Sequence, residues 1–347
     1  MRRQPRLADK SPLLRELRDH ILRAGKAEST AEAYLHWCYR YFDFCRHGSE
    51  WKHPKDCGAK DAEAFLTHLA VDQHVAESTQ NQALSALLYL YRHLLKIDIG
   101  RLDACRAKKP QWVPPVLSRG EVGRLLDEMR GVYRLVAELM YGGGLRVGED
   151  VSLRIKDMDL DRCAITVKQA KGKKDRETTL PETIHGKVLR QIAHVERLRQ
   201  DDLRNRCAGV PLPKAYGRKS PSASTSLEWY WLFPSESTSI DLGTGKRGRY
   251  HVDAQSIQRA VKRAARDARI TKSVKSHILR HSFATHMVEN GVGIHALAKL
   301  MGHSDIRTTE IYLHVAESAA AHVKSPLAEV LSRGPQKRSL LRRIREG

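Results

Sequence analysis

Three histidines and an arginine fall within the ten residues "HILRHSFATH" that begin at His277. His277 and His281 stand four apart, the spacing that sets two imidazoles on one helical face in the H-E-x-x-H zinc proteases. Chemistry disfavours the metal. The glutamate that serves as general base is missing, and Arg280, a guanidinium that keeps its proton, stands where a cation would have to sit. Taken alone, the stretch is then either structural or a grip on an anion. In the second reading Arg280 is a planar fork, and His277, one turn earlier on the same face, is a second donor or a proton carrier. Groups of the same character follow: Gly302 with His303, and nine residues further Tyr312.

The charge of the whole chain agrees with an anionic partner. Its 347 residues carry 61 Lys+Arg against 40 Asp+Glu, a formal net charge of +21. The excess is spread along the chain, with concentrations at "RAVKRAARDAR" and "KRSLLRRIREG". No basic stripe is coupled to a long apolar face, which favours nucleic acid over a membrane surface. No run of eighteen apolar residues occurs and no apolar segment follows "MRRQPRLADK". A cytosolic, nucleoid-associated protein without a membrane partner is therefore expected. Cys38, Cys45, Cys57, Cys105, Cys163 and Cys207 form no C-x-x-C pair and read as free packing residues.

Positioning these groups requires roughly two domains for a chain of this length. Residues 11–97 read as about four helices. Ser11 is the N-cap of the first, Pro12 its first residue and Gly25 its stop, while Tyr34, Trp37, Tyr41 and Phe44 form a core stripe in the second. The prolines of "RAKKPQWVPPVLSRGEV" break the pattern as a linker, and Ser118 with Glu121 opens the next helix as a capping box. Helix, glycine turn and short helix run through "GVYRLVAELMYGGGLRVGEDVSLRI"; "CAITVKQ" and "RETTLP" are strands of a hairpin whose tip carries Lys171, Lys173 and Lys174. Residues 207–249 shift to Pro, Ser, Gly and Lys around an aromatic knot, "LEWYWLFPS", and helices resume to the end of the motif region.

Four of these stretches, "GLRVGE", "HILRH", "LMGHSD" and "TTEIYLH", stand in the order and at the spacing of the tyrosine recombinase (phage integrase) family, and through them the chain resembles that family. The resemblance implies a two-domain, mainly α fold: a four-helix, SAM-like core-binding bundle and a mixed α+β catalytic domain with a small antiparallel sheet. It places a DNA clamp domain at 1–106, a linker at 107–117, the catalytic domain at 118–332 with its insertion at about 207–249, and a basic tail at 333–347. Tyr312 becomes the nucleophile, and Arg146, Lys171, His277, Arg280 and His303 surround the scissile phosphate. The chemistry suits these types. Two arginines and a histidine stabilise charge gathering on the non-bridging oxygens. A phenol can attack phosphorus and later leave, so neither metal, ATP nor another cofactor is needed. Lys171 would protonate the departing 5′-oxygen and His277 assist proton removal from Tyr312, leaving His281 and His286 as structural or backbone contacts. Lys173 and Lys174 share the hairpin and remain alternatives to Lys171 or DNA contacts. Val147 and Gly148 depart from the family's G-L-R-I-S-E.

The insertion resembles that of integron integrases, which act on single strands folded into imperfect hairpins. Aromatic rings stack on flipped-out bases without a base code, so Trp229, Trp231, Tyr250 and His251 are candidate stacking residues, or else a small satellite core. The resemblance further implies a synaptic homotetramer, with "SPLAEVLS" docking on a neighbour. Alternatives are an Xer-like or phage-type integrase on double-stranded sites, a type IB topoisomerase-like nicking-closing enzyme, and a DNA-binding protein that does not cut.

Overall fold

The computed structural model describes residues 11–46, 52–104, 115–168, 175–241 and 245–319. The chain divides into two compact units, one up to Trp112 and one from Val113.

The first unit is helical: α1 (Pro12–Arg23), α2 (Glu28–Phe44), α3 (Ala59–Val71) and α4 (Glu77–Tyr89), the last continued by a wider π-helical turn at Leu90–Leu95. Local chemistry sets the first of these. Ser11 is extended, Pro12 pre-sets the first helical φ, and Gly25 at φ +73° turns the chain away. Leu14, Leu17 and Ile21 of α1 meet Trp37, Tyr41, Phe65, Leu66 and Leu87 in one apolar core. The hydroxyl of Tyr41 lies 2.8 Å from that of Tyr91, which in turn reaches the carbonyls of Pro54 and Cys57. The aromatic stripe departs from expectation at Phe44, which is 39% exposed and leans on Phe65 and His68 at the surface.

The second unit opens with α5 (Arg119–Asp127), capped by Ser118 and Glu121 in both directions. Next come α6 (Gly131–Gly142), α7 (Val147–Val151) and an antiparallel sheet of β1 (Met158–Asp159), β2 (Ala164–Val167) and β3 (Arg176–Thr179) in that order, with Val167 opposite Arg176. Helix α8 (His185–Arg204) leads into the insertion, which contains α9 (Lys214–Lys219) and a two-stranded antiparallel sheet, β4 (Pro234–Ile240) and β5 (Arg247–His251). Helices α10 (Ala254–Asp267), α11 (His277–Glu289), α12 (Ile294–Met301) and α13 (Arg307–Ala319) complete the described chain.

The expected architecture holds: a helical first unit, and a mainly helical second unit with small antiparallel sheets. Two elements were not anticipated. β1 is two residues long, and the "PSESTSI" of β4 has no apolar alternation to announce a strand. The hairpin tip with Lys171, Lys173 and Lys174 lies outside the described residues, as do Cys105, most of the linker, "SPLAEVLS" and the basic tail. At the base of that tip Lys168 and Asp175 form a 2.6 Å ion pair. The other five cysteines are free thiols, four of them buried. Among the described residues no helix is long and apolar enough to cross a membrane.

Candidate active site

The site is built around a buried guanidinium. Arg280, in the first turn of α11, is 3% exposed, and a charge so placed must find acceptors. One Nη donates to the carbonyl of Gly144; the other donates to the carbonyl of Met301 at 2.6 Å and to His303 Nε2 at 3.0 Å. Both carbonyls are available because they lie at or just beyond the ends of helices. Gly144 lies in the turn between α6 and α7 at φ +63°, and a Cβ on it would fall 2.5 Å from the ring of Phe283, so only glycine brings that carbonyl so close to α11. Gly302, also at φ +63°, closes α12 in the left-handed conformation and leaves the Met301 carbonyl free for the arginine.

The same turn presents His303. A guanidinium has no acceptor, so His303 Nε2 takes the bond from Arg280, and Nδ1–H donates to Thr309 Oγ1 at 2.8 Å. Burial, with the charges of Arg280, Arg146 and Arg176, lowers this imidazole's pKa to about 4. It is neutral at physiological pH.

Glu149 gathers the arginines. Its carboxylate accepts from Arg146 Nη1 at 2.7 Å and from the Arg146 backbone at 2.9 Å, takes both Nη of Arg176 at 3.0 and 2.8 Å, and lies 3.7 Å from Arg280. Burial alone would raise its pKa, but the bonds from Arg176 and Arg146 outweigh it and hold the carboxyl at about 2. Arg146, at the N-cap of α7, keeps 39% of its side chain exposed, whereas Arg176 is buried. Three guanidiniums against one carboxylate leave the site strongly cationic, as suits a phosphodiester whose transition state gains negative charge.

Tyr312, on α13, is 4% exposed among Phe283, Ala284, Leu297 and Met301. Its hydroxyl lies 2.7 Å from Nδ1 of His281. Burial raises the phenol's pKa, while Arg280 and Arg146 oppose the rise. Burial, then His277 and Arg280, lower the His281 pKa to about 4. A neutral phenol therefore faces a neutral imidazole. His277 stands at the exposed start of α11 with its ring 6.4 Å from that of His281. The histidine on the phenol is His281, expected as a structural or backbone contact, rather than His277, expected to assist proton removal from Tyr312. His286 is held by the Tyr141 hydroxyl at 2.8 Å, away from the tyrosine.

Sequence reasoning brought together Arg146, His277, Arg280, His303 and Tyr312, and the fold places them around one another. It missed Arg176, Glu149's bridging role, Thr309 and His281. Arg176 had a signal in hindsight: an arginine at an inward position of a four-residue strand demands a buried acid. Lys171, Lys173 and Lys174 are not described.

The aromatic candidates behave differently. Trp229 and Trp231 are 9% and 7% exposed, packed with Val195, Val210, Ala223 and Tyr230 in a satellite core. Tyr216 stacks on Trp229 at 4.4 Å between ring centroids, the Lys156 ammonium sits 2.9 Å from the same ring, and the Arg154 guanidinium covers Trp231 at 3.8 Å. These contacts match the satellite-core alternative for the two tryptophans rather than rings open to solvent. His251 is half-buried, edge-on to Trp231, and bonds the Val252 carbonyl through Nδ1. Tyr250, 49% exposed, is the candidate ring that remains open to solvent.

The arrangement can grip a tetrahedral oxyanion and hold a phenol ready near it. Comparison with known proteins gives this chemistry its family. Residues 115–319 match the Phage integrase family and residues 13–101 the Phage integrase, N-terminal SAM-like domain. An "Integrase/recombinase" of Escherichia coli is 40% identical over 316 residues, 91% of this chain and 93% of that protein. "Tyrosine recombinase XerD" of Agrobacterium fabrum is 32% identical over 84% of this chain and 86% of its own. The fold is shared with the Tn1549 transposon integrase in complex with circular intermediate DNA, at TM-score 0.58 and 17% identity over 89% of this chain and 98% of that one. It is shared too with XerH bound to palindromic difH substrate, at TM-score 0.56 and 18% identity over 88% and 82%. The protein is a DNA strand-transferring enzyme. It belongs to the phage integrase family, the tyrosine recombinases.

Proposed function

We propose that this recombinase cleaves and rejoins DNA at specific sites through a 3′-phosphotyrosyl bond to Tyr312. The hydroxyl oxygen attacks phosphorus, the 5′-oxygen departs with a proton, and the 5′-hydroxyl of a second strand reverses the step and frees the phenol. Bond energy is stored in the ester, so the exchange needs no ATP. Arg146 and Arg280 are the anion clamp, His303 the group that holds Arg280 in place through Nε2, His277 a further phosphate contact at the exposed mouth, and Lys171 the acid for the leaving oxygen. The observation that carries this reading is the buried Tyr312 phenol in the field of Arg280 and Arg146.

The substrate we propose is the folded hairpin site of an integron integrase, bound in a synaptic homotetramer. Support comes from the insertion, which forms its own two-stranded sheet, shares a satellite core with Val195 of α8, and leaves Tyr250 open beside His251. The second reading, an Xer-like enzyme on double-stranded sites, is favoured by the 32% identity to the Agrobacterium XerD.

One experiment serves both questions. The protein is incubated with nicked suicide substrates, as a bulged hairpin and as a fully paired duplex of the same sequence. Wild type gives an SDS-stable adduct and Tyr312→Phe gives none; an adduct with the phenylalanine variant sinks the nucleophile. Preference for the bulged hairpin supports the integron reading, and equal or better use of duplex replaces it with the Xer-like one.

A further inference from the structure

We infer that His281 is the catalytic base for Tyr312, taking the hydroxyl proton on Nδ1 as the phenol oxygen bonds to phosphorus. The inference rests on the reading of Tyr312 as nucleophile and deepens it. Four observations carry it. Nδ1 lies 2.7 Å from the Tyr312 oxygen, within direct proton-transfer reach. The pair joins α11 to α13, so the bond also fixes where the phenol points. His281 is half-buried, so a proton gained there can pass on to solvent, whereas Tyr312 is 4% exposed among the described residues. Finally, His303 is excluded as an alternative in this arrangement, because Arg280 occupies its Nε2 and Thr309 its Nδ1.

The charge surroundings fit a base that works as the neutral form. Burial first, then His277 and Arg280 on its own helix, disfavour a His281 imidazolium in the resting state, and His303 from the turn after α12, itself neutral, lies nearby. An incoming phosphodiester brings negative charge to Arg280 and Arg146, which relieves that repulsion as the imidazolium forms. The step balances: the O–H bond of Tyr312 breaks, its proton goes to Nδ1, the Tyr312 O–P bond forms, the bond from phosphorus to the 5′-oxygen breaks, and that oxygen takes a proton from a separate acid.

The test uses the full chain and a nicked hairpin substrate, with the rate of SDS-stable adduct formation followed from pH 6 to 9. His281→Asn keeps an acceptor near the Nδ1 position but cannot carry a proton; His281→Phe keeps ring volume alone. Both should lower the rate at neutral pH by about a hundredfold or more, the ordinary span of general-base catalysis. Their rates should then climb about tenfold per pH unit as hydroxide replaces the base, while the wild-type rate stays flat. A merely structural loss would not recover with pH. A second substrate with sulfur in place of the 5′-oxygen leaves without an acid; it should rescue a Lys171→Ala variant and leave the His281 variants slow. The inference is overturned if His281→Asn matches wild type, if the sulfur substrate restores the His281 variants, or if His277→Asn shows the pH-recoverable loss instead. Adduct formation by Tyr312→Phe would reject the nucleophile itself, a separate outcome.

Discussion

The catalytic cluster and the insertion both bury charge, and they use it for opposite ends. In the cluster, Glu149 ties Arg146, Arg176 and Arg280 into a cationic pocket that still has Arg146 half-open to solvent. In the insertion, Arg249 of β5 is spent entirely on structure: it pairs bidentately with Asp202 of α8 at 2.6 Å and donates to the carbonyls of Ser235 and Glu236. Arg154 likewise covers Trp231 and bonds the carbonyls of Trp229 and Pro211. A buried arginine beside aromatics thus marks a fastened loop, whereas buried arginines converging on one acid beside a buried phenol mark chemistry. The distinction lies in what remains available to a ligand.

The largest effect expected from breaking this contrast is at Arg280. Arg280→Lys removes the planar fork, strands two helix-end carbonyls and should lower single-turnover cleavage by roughly a thousandfold, the scale of losing a preorganised anion donor. Arg249→Lys in the insertion should change cleavage at saturating DNA by only a few-fold.

Stability tests come next. Glu149→Gln should cost about 3 kcal/mol in denaturant unfolding at pH 7, since it leaves buried guanidiniums without their counter-charge. The pH dependence has a defined sign. A carboxyl held at about 2 when folded contributes stability that is complete above its ordinary value of 4.5 and is lost as pH falls from there toward 2. The wild-type curve should drop through that window, and the Gln variant should be flatter. Asp202→Asn should cost a similar amount, about 3 kcal/mol, but loosen the insertion and leave the adduct rate near wild type.

Within the insertion, the two kinds of aromatic should separate. Trp229→Ala opens a cavity and should cost about 3 kcal/mol. Tyr250→Ala should change stability by less than about 0.5 kcal/mol, yet weaken binding to a bulged hairpin roughly tenfold relative to paired duplex. Equal loss on both DNAs would remove Tyr250 from base recognition. The smallest effect lies at Gly148: a Cβ there meets nothing within 4 Å, so Gly148→Ala should stabilise by about 0.5–1 kcal/mol without a change in cleavage.

Legibility in the sequence followed the same division. Arg146, Arg280, His303 and Tyr312 could be read because their types recur at motif spacing and each has a chemical reason to be there. The helices could be read from caps and 3.6-residue periodicity, as at Ser11, Pro12 and the Ser118–Glu121 box. His281 could not, because two histidines four apart share a helical face, and only the packing of α13 decides which meets the phenol. Arg176 depended on β3 lying beside the end of α12, where it also reaches the Leu300 carbonyl. Trp229 and Trp231 were read as open rings or as core, and composition has no term for the Tyr216, Lys156 and Arg154 side chains that cover them.

The central claim is that Tyr312 becomes covalently bound to DNA, and it can be measured on the adduct itself. Wild-type protein is trapped on a nicked suicide site, digested with trypsin and nuclease, and the nucleotide-bearing peptide sequenced by mass spectrometry. The account predicts a 3′-phosphonucleotide on Tyr312 and on no other residue. Attachment at a different side chain, or a trapped complex with no covalent peptide, would contradict it.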